Sequence, residues 1–268
     1  MNLPAWGEAF EDLAEVTALP LGQDPRGWAF GDGTGGGVKV AVVDSGVDGD
    51  HPAVGGVAGY VAVEVDPESE RGVRFVEGPH EDLVGHGTAC AGIIRSLAPD
   101  VELYSVRVLG SNLKGRGAMF LAGIEWAIEQ GMDVVNMSLS SKSDAMFAAL
   151  HEVADDAFFA GSVLVCAANN TPGPTYPSQF ASVVSVAARV TDDPLSLAYN
   201  DRPPVEFAAR GVDVAVAWSK GSSSVATGNS FATPHVAGMA ALIRSAHPAL
   251  TPFQVKAVLH AISENARP

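Results

Sequence analysis

The sequence alternates short, mostly apolar runs with longer stretches whose apolar residues recur at helical spacing. The apolar runs are rich in valine and predict strands at residues 38–43, 103–108, 134–139, 163–167 and 183–186. Because apolar residues dominate these runs, both faces of each strand should be buried. Such strands joined by helices predict an α/β fold of three layers, in which a mainly parallel β-sheet carries helices on both faces. Functional side chains are then expected at the carboxyl ends of the strands.

Helices are predicted between these strands from the spacing of apolar side chains. In residues 117–130 these side chains share one face, and a glycine follows that can end the helix. Residues 143–160 show the same spacing, with Phe147 on the apolar face. Near the C-terminus, Thr251 followed by Pro252 predicts an N-cap and the first residue of a helix.

The domain organisation follows from the length of the chain and the position of its glycines. Residues 1–37 are predicted to be a polar N-terminal arm that ends in a flexible, glycine-rich entry at 31–37. Residues 38–268 are predicted to form one folded domain, because the sequence contains no internal repeat and no second linker.

Composition and charge exclude several classes of protein. Apolar residues make up 47% of the chain and charged residues 18%, which is too apolar for a disordered protein. The net charge of -15 argues against a nucleic-acid partner, since phosphate binding needs a basic surface. No apolar run approaches the roughly 18 residues that a membrane span requires, so no membrane partner is expected.

The negative charge is concentrated in the first part of the sequence. Residues 1–102 hold 18 acidic and 5 basic side chains, and nine of these carboxylates lie between Asp48 and Asp82. The simpler interpretation is a solubilising surface. The alternative is an acidic rim around a binding site, which would favour Lys or Arg in a bound peptide.

The cellular compartment is predicted from the cysteines and the N-terminus. Cys90 and Cys166 both lie in apolar stretches, where a free thiol behaves as a small hydrophobic side chain. Two such cysteines do not make a disulfide framework, and the first residues lack the pattern of a signal peptide. A cytoplasmic location is therefore predicted, with secretion as the alternative if a leader and a pro-region are absent from this chain.

Three segments place a reactive side chain at the end of a strand or the start of a helix. Asp44 ends the first strand, His86 lies between two glycines before an apolar helix, and Ser230 opens another helix. Unpaired N–H groups at a helix N-terminus can stabilise an anion that forms beside the serine. An aspartate, a histidine and a serine together predict an orienting carboxylate, a general base and a nucleophile. Singly, each has a structural explanation: a turn cap, a core histidine and an N-cap.

The order of the aspartate, histidine and serine along the chain discriminates between the known families of serine hydrolases. Ser230 lacks the GxSxG pattern of the α/β-hydrolases, and the order Asp, His, Ser is that of subtilisin. The segments VAVVDSGVDGDHP, GHGTACAG and GNSFATPHVAG, with LYSVRVLG, MDVVNMSL and VLVCAANN between them, are similar to those of the subtilisin-like serine proteases. The resemblance covers residues 38–262, and it identifies the predicted domain as a subtilisin-like catalytic domain.

The resemblance implies a role for each matching residue. Ser230 would be the nucleophile, His86 the general base and acid, and Asp44 the group that orients the imidazole. Asn170 matches the amide that, with the backbone N–H of Ser230, forms the oxyanion hole. The other histidines and cysteines have structural explanations: His235 and Cys90 are expected in the core, and His51 in a turn.

The resemblance also implies where a peptide or protein substrate binds. An extended peptide would lie between two backbone segments, and its side chain before the cleaved bond would enter an uncharged pocket. The two segments match Leu113, Lys114 and Gly115 on one side and Ser138, Leu139 and Ser140 on the other. The pocket would be lined by Ala167, Ala168, Asn169 and Thr175.

Departures from the family pattern affect specificity more than catalysis. The helix after His86 leads directly to the next strand, without the calcium-binding loop found in many relatives, so no metal and no cofactor are predicted. Asn169 and Ser140 replace glycines beside the substrate, and Asn229 replaces a threonine before the nucleophile. The lack of this loop and of a signal, with the altered pocket, favours limited processing of a precursor. The alternatives are a broad-specificity degradative protease and a non-catalytic peptide-binding module, and the sequence does not indicate an oligomeric state.

Overall fold

A computed structural model describes Leu19 and residues 24–266, and it contains one large and one small β-sheet. The predicted strands are present, with bounds that agree within three residues and with β6 matching at both ends. The strands are β1 (Lys39–Asp44), β2 (Gly59–Val65), β3 (Val73–Glu77), β4 (Glu102–Arg107), β5 (Val134–Met137), β6 (Val163–Ala167), β7 (Val184–Arg189), β8 (Leu197–Tyr199), β9 (Phe207–Arg210), β10 (Val214–Trp218) and β11 (Ser222–Ala226).

The large sheet has nine strands in the order β3-β2-β4-β1-β5-β6-β7-β9-β8. All neighbours pair in parallel except β3 and β8 at the two edges, which pair antiparallel. The strand β1 lies between β4 and β5, and its Val43 pairs with Val106 on one side and Met137 on the other. The loops after β4 and β5 therefore leave the same edge of the sheet on opposite sides of Asp44.

Helices cover both faces of this sheet, which confirms the predicted three layers. One layer contains α1, α2, α5 and α6, and the other contains α3 and α4. The helices are α1 (Pro25–Phe30), α2 (His86–Leu97), α3 (Gly117–Glu129), α4 (Phe147–Ala160), α5 (Asn229–Ala246) and α6 (Pro252–Ala261). The small sheet of β10 and β11 packs beside α2.

The helix ends follow from local chemistry that the sequence contains. Gly131, just beyond α3, has a φ of 66°, a backbone conformation that glycine adopts without a steric cost. Thr251 and Gln254 form a capping box at the start of α6. The first turn of the stretch 143–160 is a short 3₁₀ segment, and Phe147 is 43% exposed instead of lying on the buried face.

The N-terminal arm contains a short helix, before the glycine-rich segment 31–37, that the sequence did not predict. Residues 25–30 form α1, whose N-cap Asp24 accepts a hydrogen bond from Gly27. Trp28 stacks on His247 with ring centroids 3.8 Å apart, and Ala29 is fully buried. Six residues are too few for a periodic pattern, so this helix depends on distant contacts. Residues 1–18 and 20–23 of the predicted arm lie outside the described residues.

Within residues 24–266, no helix has the length and apolar character that crossing a membrane requires.

Candidate active site

The predicted aspartate and histidine are in direct contact. Asp44 ends β1 and is fully buried, and His86 is the first residue of α2. The His86 Nδ1 lies 2.8 Å from Asp44 Oδ1 and 2.9 Å from Oδ2. A carboxylate only accepts hydrogen bonds when ionised, so Nδ1 carries the proton and Nε2 is left as the basic nitrogen.

The electrostatics of His86 favour its protonated form. Burial lowers the pKa of His86, but the charge and hydrogen bond of Asp44 and the charge of Asp82 outweigh it, so the pKa is raised above 6.5. His86 also packs against Phe231, with ring centroids 5.3 Å apart. The imidazole is therefore oriented by one carboxylate and held against the start of α5.

Ser230 lies in the first turn of α5, as the sequence predicts. Its backbone carbonyl accepts hydrogen bonds from Ser138 Oγ at 2.9 Å and from Cys90 Sγ at 3.6 Å. Ser138 in turn accepts a hydrogen bond from Asn136 Nδ2 at 3.1 Å. The backbone of the predicted nucleophile is thus fixed by Ser138, which follows β5, and by Cys90 of α2.

Asn170 is placed beside the predicted nucleophile. Its Oδ1 accepts a hydrogen bond from the backbone N–H of Asn229 at 3.0 Å, which leaves Nδ2 as the amide's donor. A Cβ on Gly228 would lie 3.4 Å from Ser230 Oγ and 3.6 Å from Asn170 Nδ2. Ser230 and the amide of Asn170 therefore both border the position that a side chain at residue 228 would occupy.

Asn229 is a functional residue that sequence reasoning noted only as a departure. Its Oδ1 accepts from Ala188 N at 2.8 Å, and its Nδ2 donates to the carbonyls of Ala168 at 2.9 Å and Asn169 at 3.3 Å. These bonds fasten the start of α5 to the ends of β6 and β7. A polar residue beside a predicted nucleophile is the only sequence signal that points to this role.

The two predicted substrate segments lie where the strand order puts them. Leu113, Lys114 and Gly115 are exposed in the loop after β4, and Leu113 has a φ of 55°. Ser138, Leu139 and Ser140 directly follow β5, with Ser138 buried. Since β4 and β5 flank β1, an extended peptide between these segments would cross the end of the strand that carries Asp44.

The hydroxyl of Thr175 connects two parts of the predicted substrate site. This oxygen accepts from the backbone N–H of Asn169 at 3.0 Å and lies 3.3 Å from Ser140 Oγ. Ala167 and Ala168 at the end of β6 are buried. The Asn169 side chain donates to the carbonyl of Pro174 at 2.8 Å, so it is turned into its own loop. The walls formed by these residues carry no charge.

The remaining candidates have the structural contacts that the sequence predicts. His235 is buried in α5, where its Nδ1 bonds the Phe231 carbonyl at 2.9 Å, and burial lowers its pKa to about 4. His51 accepts from Ala53 N and bonds the Ser222 carbonyl. Burial raises the pKa of the Cys90 and Cys166 thiols, so both are neutral at pH 8.

The acidic segment between Asp48 and Asp82 is only partly neutralised. Glu64 pairs with Arg74 at 2.8 Å, and Arg71 pairs with Glu125 at 3.0 Å. Four of its carboxylates line a groove of about 390 Å³ together with one amino group. These lining residues are Asp48, Asp50, Glu81, Asp82 and Lys220.

Among the described residues, one cluster of possible metal ligands is found, formed by Asp44, His86 and Cys90. A metal there would have to displace the proton that His86 shares with Asp44, so the cluster is part of the site already described.

The connection from α2 to β4 is short. The chain passes between them through residues 98–101, with a hydrogen bond from Val101 N to the Ala98 carbonyl.

The mainly parallel sheet and the contact of Asp44 with His86, together with a serine in the first turn of α5, are the features that the sequence analysis expects of a subtilisin-like protein. Residues 35–266 match the sequence model of the Subtilase family, Peptidase S8. The chain therefore belongs to the subtilase family, whose members are subtilisin-like serine proteases.

Individual relatives agree with this family. Subtilisin E of Bacillus subtilis (strain 168) is 37% identical over 240 residues, which is 83% of this chain and 59% of that protein. The thermostable alkaline protease of Halalkalibacterium halodurans is 35% identical over 83% of this chain and 61% of its own length. The chain thus spans about three fifths of these relatives. The crystal structure of a cold-adapted subtilisin-like serine proteinase superimposes with a TM-score of 0.70 at 28% identity, covering 84% of this chain and 82% of that one.

Proposed function

We propose that this chain is a serine endopeptidase that hydrolyses peptide bonds. The observation that carries the proposal is the pair of contacts between His86 Nδ1 and Asp44, next to a serine at the N-terminus of a helix. This pair fixes the tautomer in which His86 Nε2 can accept a proton, which is what a serine nucleophile needs.

The proposed reaction assigns one step to each group. Ser230 Oγ attacks the carbonyl carbon of the peptide while His86 takes its proton, and Asp44 stabilises the resulting imidazolium. Asn170 Nδ2 and the backbone N–H of Ser230 donate to the oxygen that becomes negative. His86 then protonates the leaving amine, and water hydrolyses the acyl-enzyme by the same route.

We infer broad specificity in preference to processing of a dedicated precursor. The relatives described above are named as a subtilisin and as an alkaline protease, and neither name specifies a precursor. The pocket around Thr175 presents small side chains and uncharged oxygens, which would admit many apolar residues. Both observations support the second interpretation of the sequence, a degradative enzyme.

The proposed activity is tested by labelling with a fluorophosphonate probe at pH 8. Wild type should be labelled and Ser230→Ala should not, whereas Ser162→Ala, which removes a buried hydroxyl bonded to the Met132 carbonyl outside the site, should retain labelling. Labelling that does not depend on Ser230 would refute the role of that residue. A wild type that binds peptides without being labelled would support the non-catalytic module instead.

Specificity is tested with denatured casein and a set of short peptides. A broad-specificity enzyme should digest casein to many small fragments, while a processing enzyme should leave casein intact and cut one peptide sequence.

We also propose a cytoplasmic location for the protein, which the two buried free thiols support. Fractionation of the native cells, with detection by antibody, would separate it from secretion.

A further inference from the structure

The side chain of Asp82, which precedes His86 by four positions, accepts five hydrogen bonds. Its Oδ1 accepts from Ser45 Oγ at 2.8 Å and from the backbone N–H groups of Val84 at 3.0 Å and Gly85 at 2.8 Å. Its Oδ2 accepts from Thr88, through N–H at 2.8 Å and Oγ1 at 2.6 Å. One carboxylate therefore connects three separate parts of the site.

The first consequence concerns the start of α2, the helix that presents His86. Its N-cap residue is Gly85, which has no side chain to bond the free N–H groups of the first turn. A Cβ at Gly85 would lie 2.7 Å from the backbone nitrogen of Ser219, so a Ser, Thr or Asp cannot occupy that position. Asp82 supplies the missing cap from outside the helix, and its charge faces the positive end of the helix dipole.

The second consequence concerns Asp44. The backbone N–H of Ser45 donates to Asp44 Oδ1 at 2.7 Å, while the Ser45 hydroxyl donates to Asp82. The same hydroxyl accepts from Gly87 N at 3.3 Å. Ser45 is thus held between the carboxylate that orients His86 and the carboxylate that caps its helix.

We propose that Asp82 is a positioning residue of this site, which sets the distance and orientation between Asp44 and His86 by binding the segments that carry both. The proposal rests on the proposed serine-protease function, because it assigns Asp82 a part in the same reaction. Asp82 makes no bond to the reacting atoms and acts through Ser45, Gly85 and Thr88.

The charge of Asp82 adds an electrostatic effect to this geometry. The groups that face His86 are Asp44 from β1, Asp82 from the preceding loop, Cys90 from α2 and the apolar ring of Phe231 from α5. The Cys90 thiol is neutral because burial raises its pKa. Lys220 shares the groove with Asp82 and opposes its charge there. The two carboxylates are therefore the charges that raise the pKa of His86.

The deciding variant is Asp82→Asn, which keeps the size of the side chain but removes its charge and turns an acceptor into a donor facing Thr88. On an uncharged peptide, kcat should fall on the order of 10-fold or more with KM nearly unchanged, since the reacting groups are misplaced while the binding segments are not. The acid limb of the kcat/KM profile should move to lower pH. Asp66→Asn is the matched control, because Asp66 also caps a turn through a backbone N–H, at Glu68, but lies between β2 and β3.

Two further measurements make the outcome decisive. NMR titration of His86 in wild type and Asp82→Asn measures the pKa of the imidazole without any activity, and this pKa should be lower in the variant. It tests Asp82 even if the protease function fails in the labelling experiment. If Asp82→Asn does not fold, Ser45→Ala removes one link and keeps the charge; kcat should then fall with the acid limb unmoved. Unchanged kcat and pH profile in Asp82→Asn, or unchanged kcat in Ser45→Ala, would overturn the proposal.

Discussion

Asn170 and Asn229 are hydrogen-bonded beside Ser230: the Asn229 backbone N–H donates to Asn170 Oδ1 at 3.0 Å and leaves Asn170 Nδ2 as the donor of that amide. The side chain of Asn229 meanwhile bonds the loop that carries Asn170, at the carbonyls of Ala168 and Asn169. These bonds join the start of α5, which carries Ser230, to the loop after β6, which carries Asn170. They therefore set the spacing between the predicted nucleophile and the predicted oxyanion donor.

The Asn170 amide is the first group to test. In Asn170→Ala, kcat should fall by about 10²–10³ with little change in KM, a range that comes from subtilisin, a relative of this chain. The reason is that the lost donor acts on the oxygen only when it becomes negative. Steady-state kinetics on a short peptide measure it, with Asn169→Ala as the control, since that side chain points at Pro174. A pure KM effect would contradict the assignment.

The Asn229 side chain should matter for stability as well as for activity. Asn229→Ala leaves the N–H of Ala188 and the carbonyl of Ala168 without their partner, which should cost about 1–3 kcal/mol of unfolding free energy. Urea denaturation measures this cost. The control is Asn112→Ala, because Asn112 is exposed and bonds its own loop at Lys114. This variant should lose less unfolding free energy than Asn229→Ala. Equal costs would mean that Asn229 does not fasten α5 to the sheet.

The pH dependence of activity follows from His86. The reaction needs a neutral imidazole, and the pKa of His86 is raised above 6.5, so activity should already decline at a pH above 6.5 as the solution is acidified. The raised pKa of His86 also stabilises the folded state at low pH. This contribution to the free energy of unfolding is lost as the pH rises through the pKa of His86 in the folded protein. A profile of kcat/KM from pH 5 to 9 with an uncharged peptide locates the midpoint. A midpoint at or below 6.5 would show that Asp44 and Asp82 do not act on His86 as described.

The sequence predicted the parts of the site that depend on local pattern. Asp44, His86 and Ser230 each lie in a short motif at the junction of a strand or a helix, so their types and positions were visible without a structure. The strand order could not be read from the sequence, because it depends on which buried strands pair. That order is what places the loops after β4 and β5 on either side of Asp44.

The residues that sequence reasoning missed act through contacts between distant segments. Asp82 was counted only as one negative charge, yet it bonds Ser45, which lies 37 residues away. Helix α1 was missed because His247, which bonds the Trp28 carbonyl, is 219 residues away in the chain. Neither contact leaves a periodic pattern, so only the folded chain displays it.

The two thiols should be unreactive in the folded protein. Cys90 and Cys166 are fully buried, and burial raises the pKa of both, so neither presents a thiolate at pH 8. Titration with a disulfide reagent should detect no thiol in the native protein and both after denaturation. Rapid reaction of one thiol, lost in Cys90→Ser but not in Cys166→Ser, would mean that the region under Ser230 opens to solvent.

The groove lined by Asp48, Asp50, Glu81 and Asp82 predicts that the rate of cleavage depends on the charge of the peptide. If Asp48 and Asp50 face the bound peptide, a peptide with Lys upstream of the cut should be cleaved faster than its Glu counterpart at low salt, by about 2- to 5-fold for exposed charges. The ratio should approach 1 at about 1 M salt, where screening shortens the range of the interaction to about 3 Å.

The variants separate this local effect from the net charge of -15. Asp48→Asn with Asp50→Asn should abolish the preference at low salt, because it removes the charges beside the peptide. Asp192→Asn with Asp193→Asn changes the net charge equally but alters a loop between β7 and β8, and should leave the preference intact. If both pairs reduce the ratio alike, the whole surface attracts basic peptides; if neither peptide is preferred in wild type, the acidic segment only keeps the protein in solution.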